Sequence, residues 1–241
     1  MNGKPIIALQ DICFAYPGRS PILRDLALTL YEGEHIGLIA PNGSGKTTLF
    51  HLLVGLLKPS AGKIVMFDRP VVTEKDFIAV RRQVGLLFQD ADDQLFSPTV
   101  IEDIAFGPLN LGKSQAEALA ISRSMLSFLG LEGFEKRVTI KLSGGEKRLV
   151  ALATILAMEP RMLLLDEPSA GLDNATKRRL IDILRELKIS YMIVSHELDF
   201  LSQVVDKVYL LHEGQIQTEI NNRLHEHLHL HACDNRFGWH G

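Results

Sequence analysis

Ala40-Pro-Asn-Gly-Ser-Gly-Lys-Thr-Thr48 follows the apolar run Gly33-Glu-His-Ile-Gly-Leu-Ile39 and leads into Leu49-Phe-His-Leu-Leu53. A buried strand that breaks into a glycine-rich turn and passes at once into a helix confines the chain to an α/β architecture with that turn at a strand end. Gly43 and Gly45 let successive backbone N–H groups face inward without a Cβ in the way. Lys46 adds a cation, Thr47 a hydroxyl, and the helix start its positive dipole end. Such a concave set of donors suits the phosphates of a nucleoside triphosphate accompanied by Mg2+, with Asn42, Gly43, Ser44, Gly45, Lys46, Thr47 and Thr48 as the candidate nucleotide contacts. The first position of the pattern is Ala40 where glycine is usual, the mildest replacement available.

Two further segments extend this reading. Met162-Leu-Leu-Leu-Asp166-Glu167-Pro168 ends an apolar run in paired carboxylates. Asp166 can hold Mg2+ through water, and Glu167 can orient and polarise an attacking water, which is the side-chain task phosphoryl transfer most requires. By itself the pair also fits a solvated strand end. Leu142-Ser-Gly-Gly-Glu146 opens a helix, where Ser143 and the amides of Gly144 and Gly145 form a second anion-binding helix end.

With 241 residues, 46% of them hydrophobic, the chain can bury one large α/β domain or a domain with a subdomain. A net charge of −3 gives no overall basic balance towards nucleic acid, although a local patch remains open. Cys13 and Cys233 show no pairing logic and read as incidental thiols of a reducing compartment. The N-terminus lacks the apolar centre of a signal peptide, and runs such as Leu149–Met158 are far short of a bilayer span. Strands are expected at Ile6–Leu9, Cys13–Tyr16, Ala27–Leu30, Gly62–Phe67, Arg161–Leu165, Tyr191–Val194 and Lys207–Leu211, with helices at Thr47–Leu57 and Asp173–Leu187. Ser114-Gln-Ala-Glu117 is a capping box for a helix that Gly130 ends. The character of the chain changes from Gln89 onwards, so a helical subdomain, about 89–157, is expected inside a domain spanning 1–220, followed by a tail at 221–241.

The phosphate loop, Gln89, Leu142–Glu146, Leu165–Pro168, Ser169-Ala-Gly-Leu-Asp173 and Ser195-His196 stand in the order of the ABC-type ATPase domain, which the chain resembles over about residues 5–220. The resemblance implies a phosphate-loop NTPase with a RecA-like core, an N-terminal antiparallel β subdomain and an inserted α-helical subdomain. It implies ATP hydrolysis, with Glu167, His196 and Gln89 catalytic, and Mg2+ held by Thr47, Gln89 and Asp166. Tyr16 is expected to stack on adenine, although an ordinary strand-end tyrosine is the alternative. Ser143, Gly144 and Gly145 are expected to face the γ-phosphate bound by a second subunit, with Asp173 at the seam; a homodimer is the simpler arrangement. Glu146 replaces the usual glutamine there.

Val84–Pro108, with Asp92-Asp93-Gln94-Leu-Phe96 and Ala105-Phe-Gly-Pro108, is similar to the ATPase subunits of energy-coupling-factor importers for vitamins or for cobalt and nickel ions. That likeness implies integral membrane scaffold and substrate-capture subunits, a peripheral position on the cytoplasmic face of the cell membrane, and no nucleic acid. Asp92 and Asp93 either accept basic residues of the scaffold or form a solvated acidic loop. His225, His227, His229 and His231 alternate before Cys233, a pattern that suits Ni2+, Co2+ or Zn2+ as well as a tail without a ligand. Another importer or exporter ATPase, or a non-transport ABC ATPase acting on nucleic acid or ribosomes, is the alternative reading.

Overall fold

Ile6, Ile7, Leu9, Ile12 and Phe14 are buried along one continuous strand, β1 (Pro5–Phe14), where the sequence suggests two separate pieces. The computed structural model describes residues 3–41 and 43–221. The apparent break in β1 is a bulge: the register against the neighbouring strand shifts between Leu9 and Ile12, and Asp11 adopts φ 51°. A bulge redirects a strand without ending it. Tyr16 lies beyond the strand.

β2 (Leu23–Tyr31) returns antiparallel to β1, and β3 (His35–Ile39) then runs through the glycine turn into α1 (Lys46–Leu53). This helix stops short of Leu57 because the chain turns at Gly55, φ 74°. β4 (Ala61–Met66) pairs with the other edge of β1, and β5 (Arg69–Pro70) pairs with β4. Together they make an antiparallel sheet in the order β2-β1-β4-β5. α2 (Glu74–Arg81) follows, opened by a reciprocal Thr73–Asp76 capping box, and then β6 (Val84–Leu87).

The chain now leaves the sheet for α3 (Val100–Asn110), α4 (Gln115–Phe128) and α5 (Gly144–Leu156). It returns at β7 (Met162–Asp166), which lies parallel and directly beside β6. α6 (Asn174–Glu186), β8 (Ser190–Val194), α7 (Leu198–Val204), β9 (Lys207–His212) and β10 (Gln215–Asn221) complete the chain. The second sheet runs β10-β9-β3-β8-β7-β6, parallel throughout except for the β10 edge.

β7 and β8 are buried on both faces, which is why they read as unbroken apolar runs. Successive side chains take opposite faces. Leu163, Leu165, Tyr191 and Ile193 pack with α5, α6 and α7; Met162, Leu164, Met192 and Val194 pack with α1 and β1. A sheet covered on both sides fixes its strand ends firmly, and the turns after β3, β7 and β8 carry the polar residues. Among the described residues no helix is long and apolar enough to cross a membrane.

The end of α4 is pinned to this frame by a guanidinium group. Arg179 of α6 donates to the Leu129 carbonyl at the end of α4 and lies over Gly130, whose φ is 55°. A Cβ at residue 130 would overlap that guanidinium, so Gly130→Ala meets both an unfavourable φ and a displaced hydrogen bond. We expect a loss of about 2 kcal/mol, a melting temperature lower by roughly 4–8 °C in a thermal scan. A change below 2 °C would show that the Arg179 contact contributes nothing.

Candidate nucleotide site

The turn after β3 depends on glycine at one position above others. Gly45 adopts φ 99°, and a Cβ there would lie 2.8 Å from the Leu23 Cδ2. Only glycine combines that backbone with that proximity. Gly43 is also left-handed, φ 79°, with open space beside it. Lys46 and Thr47 therefore start α1 with their side chains turned to the ends of β7 and β8.

Lys46 Nζ donates to Glu167 Oε1 at 3.1 Å, and Thr47 Oγ1 donates to Asp166 Oδ2 at 2.8 Å. His196 Nδ1 lies 3.0 Å from Glu167 Oε2, and its backbone N–H points at the same oxygen, 3.4 Å away. Three segments distant in sequence, 46–47, 166–167 and 196, thus meet at two buried carboxylates; Asp166 is 3% and Glu167 4% exposed. Glu167 reaches this position through a left-handed backbone, φ 47°, a conformation costing on the order of 1–2 kcal/mol for a non-glycine residue. Its N–H is held by the Val194 carbonyl at 2.9 Å, so the sheet sustains the strain and aims the carboxylate across the loop.

Burial pushes the Asp166 carboxyl above its ordinary range, with the Glu167 charge adding to the effect, while the Thr47 hydroxyl and Lys46 oppose it. Its Oδ1 is buried without a hydrogen-bond partner among the described residues. A carboxylate with a hydroxyl beside it and one oxygen unspent suits a hard divalent cation. No cluster of three or more His, Cys, Asp or Glu is present among the described residues to hold a metal alone. The donor set fits an ion that brings water and phosphate oxygens with it, the habit of Mg2+.

One cavity opens on this centre and a second on the glycine turn beside it. The first, about 930 Å³, is lined by Thr47, Gln89, Asp90, Arg148 and Asp166 among others. The second, about 520 Å³, is lined by Tyr16, Arg19, Gly43 and Ser44 among others. Tyr16 packs edge-on against Phe14, ring centroids 5.0 Å apart, and its hydroxyl lies 3.1 Å from Thr48 Oγ1. The ring therefore lines the cavity, held by a hydrogen bond at one end. Ser44 Oγ is buried without a partner among the described residues.

Ser143, Gly144 and Gly145 line neither of these cavities. They open α5 elsewhere, with Ser143 and Gly144 exposed and space free above Gly144. Ser143 caps α5 by accepting from the Glu146 N–H at 3.3 Å. Glu146 returns the bond, accepting from the Ser143 N–H at 2.8 Å and from Arg137 at 2.7 Å. The Ser143 N–H, and then Arg137, hold the Glu146 carboxyl below its usual range, so the acidic residue in place of glutamine is neutralised inside the chain. Asp173 is the N-cap of α6, accepting from Ala175 and Thr176, rather than its first helical residue.

The acidic loop is partly committed already. Asp92 pairs with Lys147 at 2.5 Å, and Gln94 Nε2 donates to the Ala151 carbonyl at 3.0 Å and to Thr154 Oγ1 at 3.2 Å. Asp92 is therefore not simply a solvated charge. Arg148, which the sequence reading passes over, is 7% exposed and donates to the carbonyls of Phe88 and Gln89. A charge directly before the apolar Leu149–Leu156 run was its signal, because a guanidinium on a buried helix face needs acceptors. Asn42 and the histidine tail from Asn222 onwards lie outside the described residues.

The family model for the ABC transporter matches residues 23–170. The energy-coupling factor transporter ATP-binding protein EcfA of Methanothermobacter thermautotrophicus is 44% identical over 218 residues, 89% of this chain and 70% of that protein. The cobalt import ATP-binding protein CbiO of Rhodobacter capsulatus is 42% identical over 219 residues, 89% of this chain and 78% of that protein. Among solved structures, CbiO1 of Clostridium perfringens, described as part of the ABC transporter complex CbiONQ, superposes with a TM-score of 0.85 at 31% identity, covering 97% of this chain and 96% of that one.

Proposed function

We propose that this chain, which belongs to the ABC transporter family, is the ATP-hydrolysing subunit that powers a membrane importer of the energy-coupling-factor type. The convergence of Lys46, Thr47, Asp166, Glu167 and His196 at the ends of three parallel strands carries this reading. Lys46 and the amides of the glycine turn bind the phosphates. Tyr16 offers its ring to the adenine, with Thr48 and Ser44 beside it. Mg2+ fits Thr47 and Asp166, with Gln89 at the cavity edge, and when bound supplies charge neutralisation to the β- and γ-phosphates.

In this mechanism Glu167 accepts the proton of a water whose oxygen attacks the γ-phosphorus. The bond from that phosphorus to the bridging oxygen breaks, leaving ADP and phosphate. His196, on the other carboxylate oxygen of Glu167, holds the base in place and presents its ring to the γ-phosphate. Ser143, Gly144, Gly145 and Asp173 are left on an open surface, which supports a second copy closing over the nucleotide. Binding of ATP by both half-sites then favours the closed pair, and hydrolysis releases it; that difference does work on the membrane partner. In this reading the ATPase domain spans 1–220, with the helical region about 89–157 inserted in it.

Docking to membrane subunits is supported by Phe96, in the loop before α3, and Phe106 of α3, 65% and 48% exposed and packed edge-to-face at 4.7 Å. An exposed aromatic pair is suited to apolar side chains of a scaffold on the cytoplasmic side. The name of the Rhodobacter capsulatus relative favours a cobalt or nickel ion as cargo, with a vitamin as the alternative. Purification from host membranes tests this. Wild-type protein is expected to bring integral membrane proteins with it, and Phe96→Ser/Phe106→Ser to lose them while its own ATP turnover is retained. Recovery of ribosomes or nucleic acid in their place would favour a non-transport ABC ATPase.

A further inference from the structure

Gln89 has an exposed side chain and no core packing to orient it. Its backbone, by contrast, is gripped. Arg148 donates through its two terminal nitrogens to successive carbonyls, Phe88 O at 2.8 Å and Gln89 O at 2.6 Å. A guanidinium fork on adjacent carbonyls fixes the peptide between them, and with it the direction in which the residue 89 side chain leaves the chain. The same loop is held twice more from α5: Gln94 reaches Ala151 and Thr154, and accepts from the Phe88 N–H at 3.4 Å, while Lys147 pairs with Asp92.

This grip is costly to build. Burial alone opposes the Arg148 charge, and only the attraction of Asp90, Asp166 and Glu167 offsets it. An apolar side chain at residue 148 would be buried on α5 without that cost. What an apolar residue would not do is define the Gln89 peptide or connect it to the helix that begins at Ser143.

We propose that Arg148 is a positioning residue for ATP hydrolysis: it sets Gln89 against the nucleotide and, with Gln94, makes the 88–94 loop and α5 one body. A displacement at the Ser143 end of α5 is then transmitted to Gln89 of the same chain. The two ends of that body meet different nucleotides in a closed pair, so the occupant of one site is felt at the other. This rests on the ATPase reading above and on Gln89 acting in hydrolysis.

A double-mutant cycle on the full-length chain tests it, with kcat, KM for MgATP and ATP affinity without turnover measured for each variant. Arg148→Lys keeps a cation but loses the fork; Arg148→Met loses both. In the wild-type background Arg148→Lys is expected to lower kcat about tenfold or more with KM and ATP affinity nearly unchanged, because displacing a reacting group by a fraction of an ångström acts on the barrier. In the Gln89→Ala background the same substitution is expected to change kcat by less than about twofold, because nothing remains to be positioned. An equal kcat loss in both backgrounds, or a loss confined to KM, overturns the proposal. If Arg148→Met does not fold, the lysine cycle decides alone. A wild-type protein with no turnover at all would instead contradict the ATPase reading, which separates the two failures.

Discussion

Glu167→Gln lowers ATP turnover by roughly two to four orders of magnitude while nucleotide binding tightens. The first effect follows from removing the acceptor for the attacking water's proton, a contribution of about 10²–10⁴ in positioned acid–base catalysis. The second follows from the geometry of this chain. Lys46 pairs with Glu167 Oε1 at 3.1 Å, with the two side chains 13% and 5% exposed. Phosphate must displace that carboxylate from the ammonium before Lys46 can serve it. An amide at residue 167 releases Lys46 and removes the buried negative charge next to Asp166, so the dissociation constant for ATP is expected to fall several-fold. Stopped-flow turnover and binding of a fluorescent ATP analogue measure the two effects separately. Turnover within tenfold of wild type would remove Glu167 from the role of base.

Lys46→Ala has the opposite signature on binding. Loss of a charge-assisted contact to phosphate costs about 1.5–3 kcal/mol, or roughly 10- to 150-fold in affinity. It also damages the nucleotide-free protein. Glu167 keeps His196 but loses its buried cation, and stranding one member of a buried pair costs about 3–5 kcal/mol. At roughly 2–4 °C per kcal/mol for a chain of this size, a melting temperature lower by about 6–20 °C is expected. The double variant Lys46→Ala/Glu167→Gln should recover most of the stability and none of the turnover, since the stranded charge is gone. If the double variant melts as low as Lys46→Ala alone, the ion pair is not what Lys46 contributes to the resting fold.

Much of this site is legible in the sequence because phosphate chemistry leaves few substitutes. The Gly43–Thr48 turn, the Asp166–Glu167 pair and the Ser143 helix start can be placed from residue type and spacing alone. The inserted helices are likewise foreshadowed by Ser114-x-x-Glu117. Thr73-x-x-Asp76 and Thr99-x-x-Glu102 carry the same signature for α2 and α3 and could have been read in the same way. Contacts that depend on tertiary position are not legible. The bulge at Asp11 hides the continuity of β1, because a register shift leaves no pattern in one strand. The left-handed Glu167 backbone is set by the Val194 carbonyl from β8, residues away in sequence. Arg137 beside Glu146, and Lys147 beside Asp92, turn two residues that look like free acids into internal partners. Arg148 is a third instance: its charge is visible, whereas the carbonyls it serves belong to a loop on the far side of two helices.

The central claim is that ATP is cradled by the Lys46 loop of one chain and capped by the Ser143 end of another. Light-scattering mass of Glu167→Gln, with and without ATP and Mg2+, measures this most directly. The account predicts a monomer that doubles its mass when ATP and Mg2+ are added, and a Ser143→Arg derivative that binds ATP and stays single. A Glu167→Gln protein that holds ATP tightly and remains a monomer would contradict it.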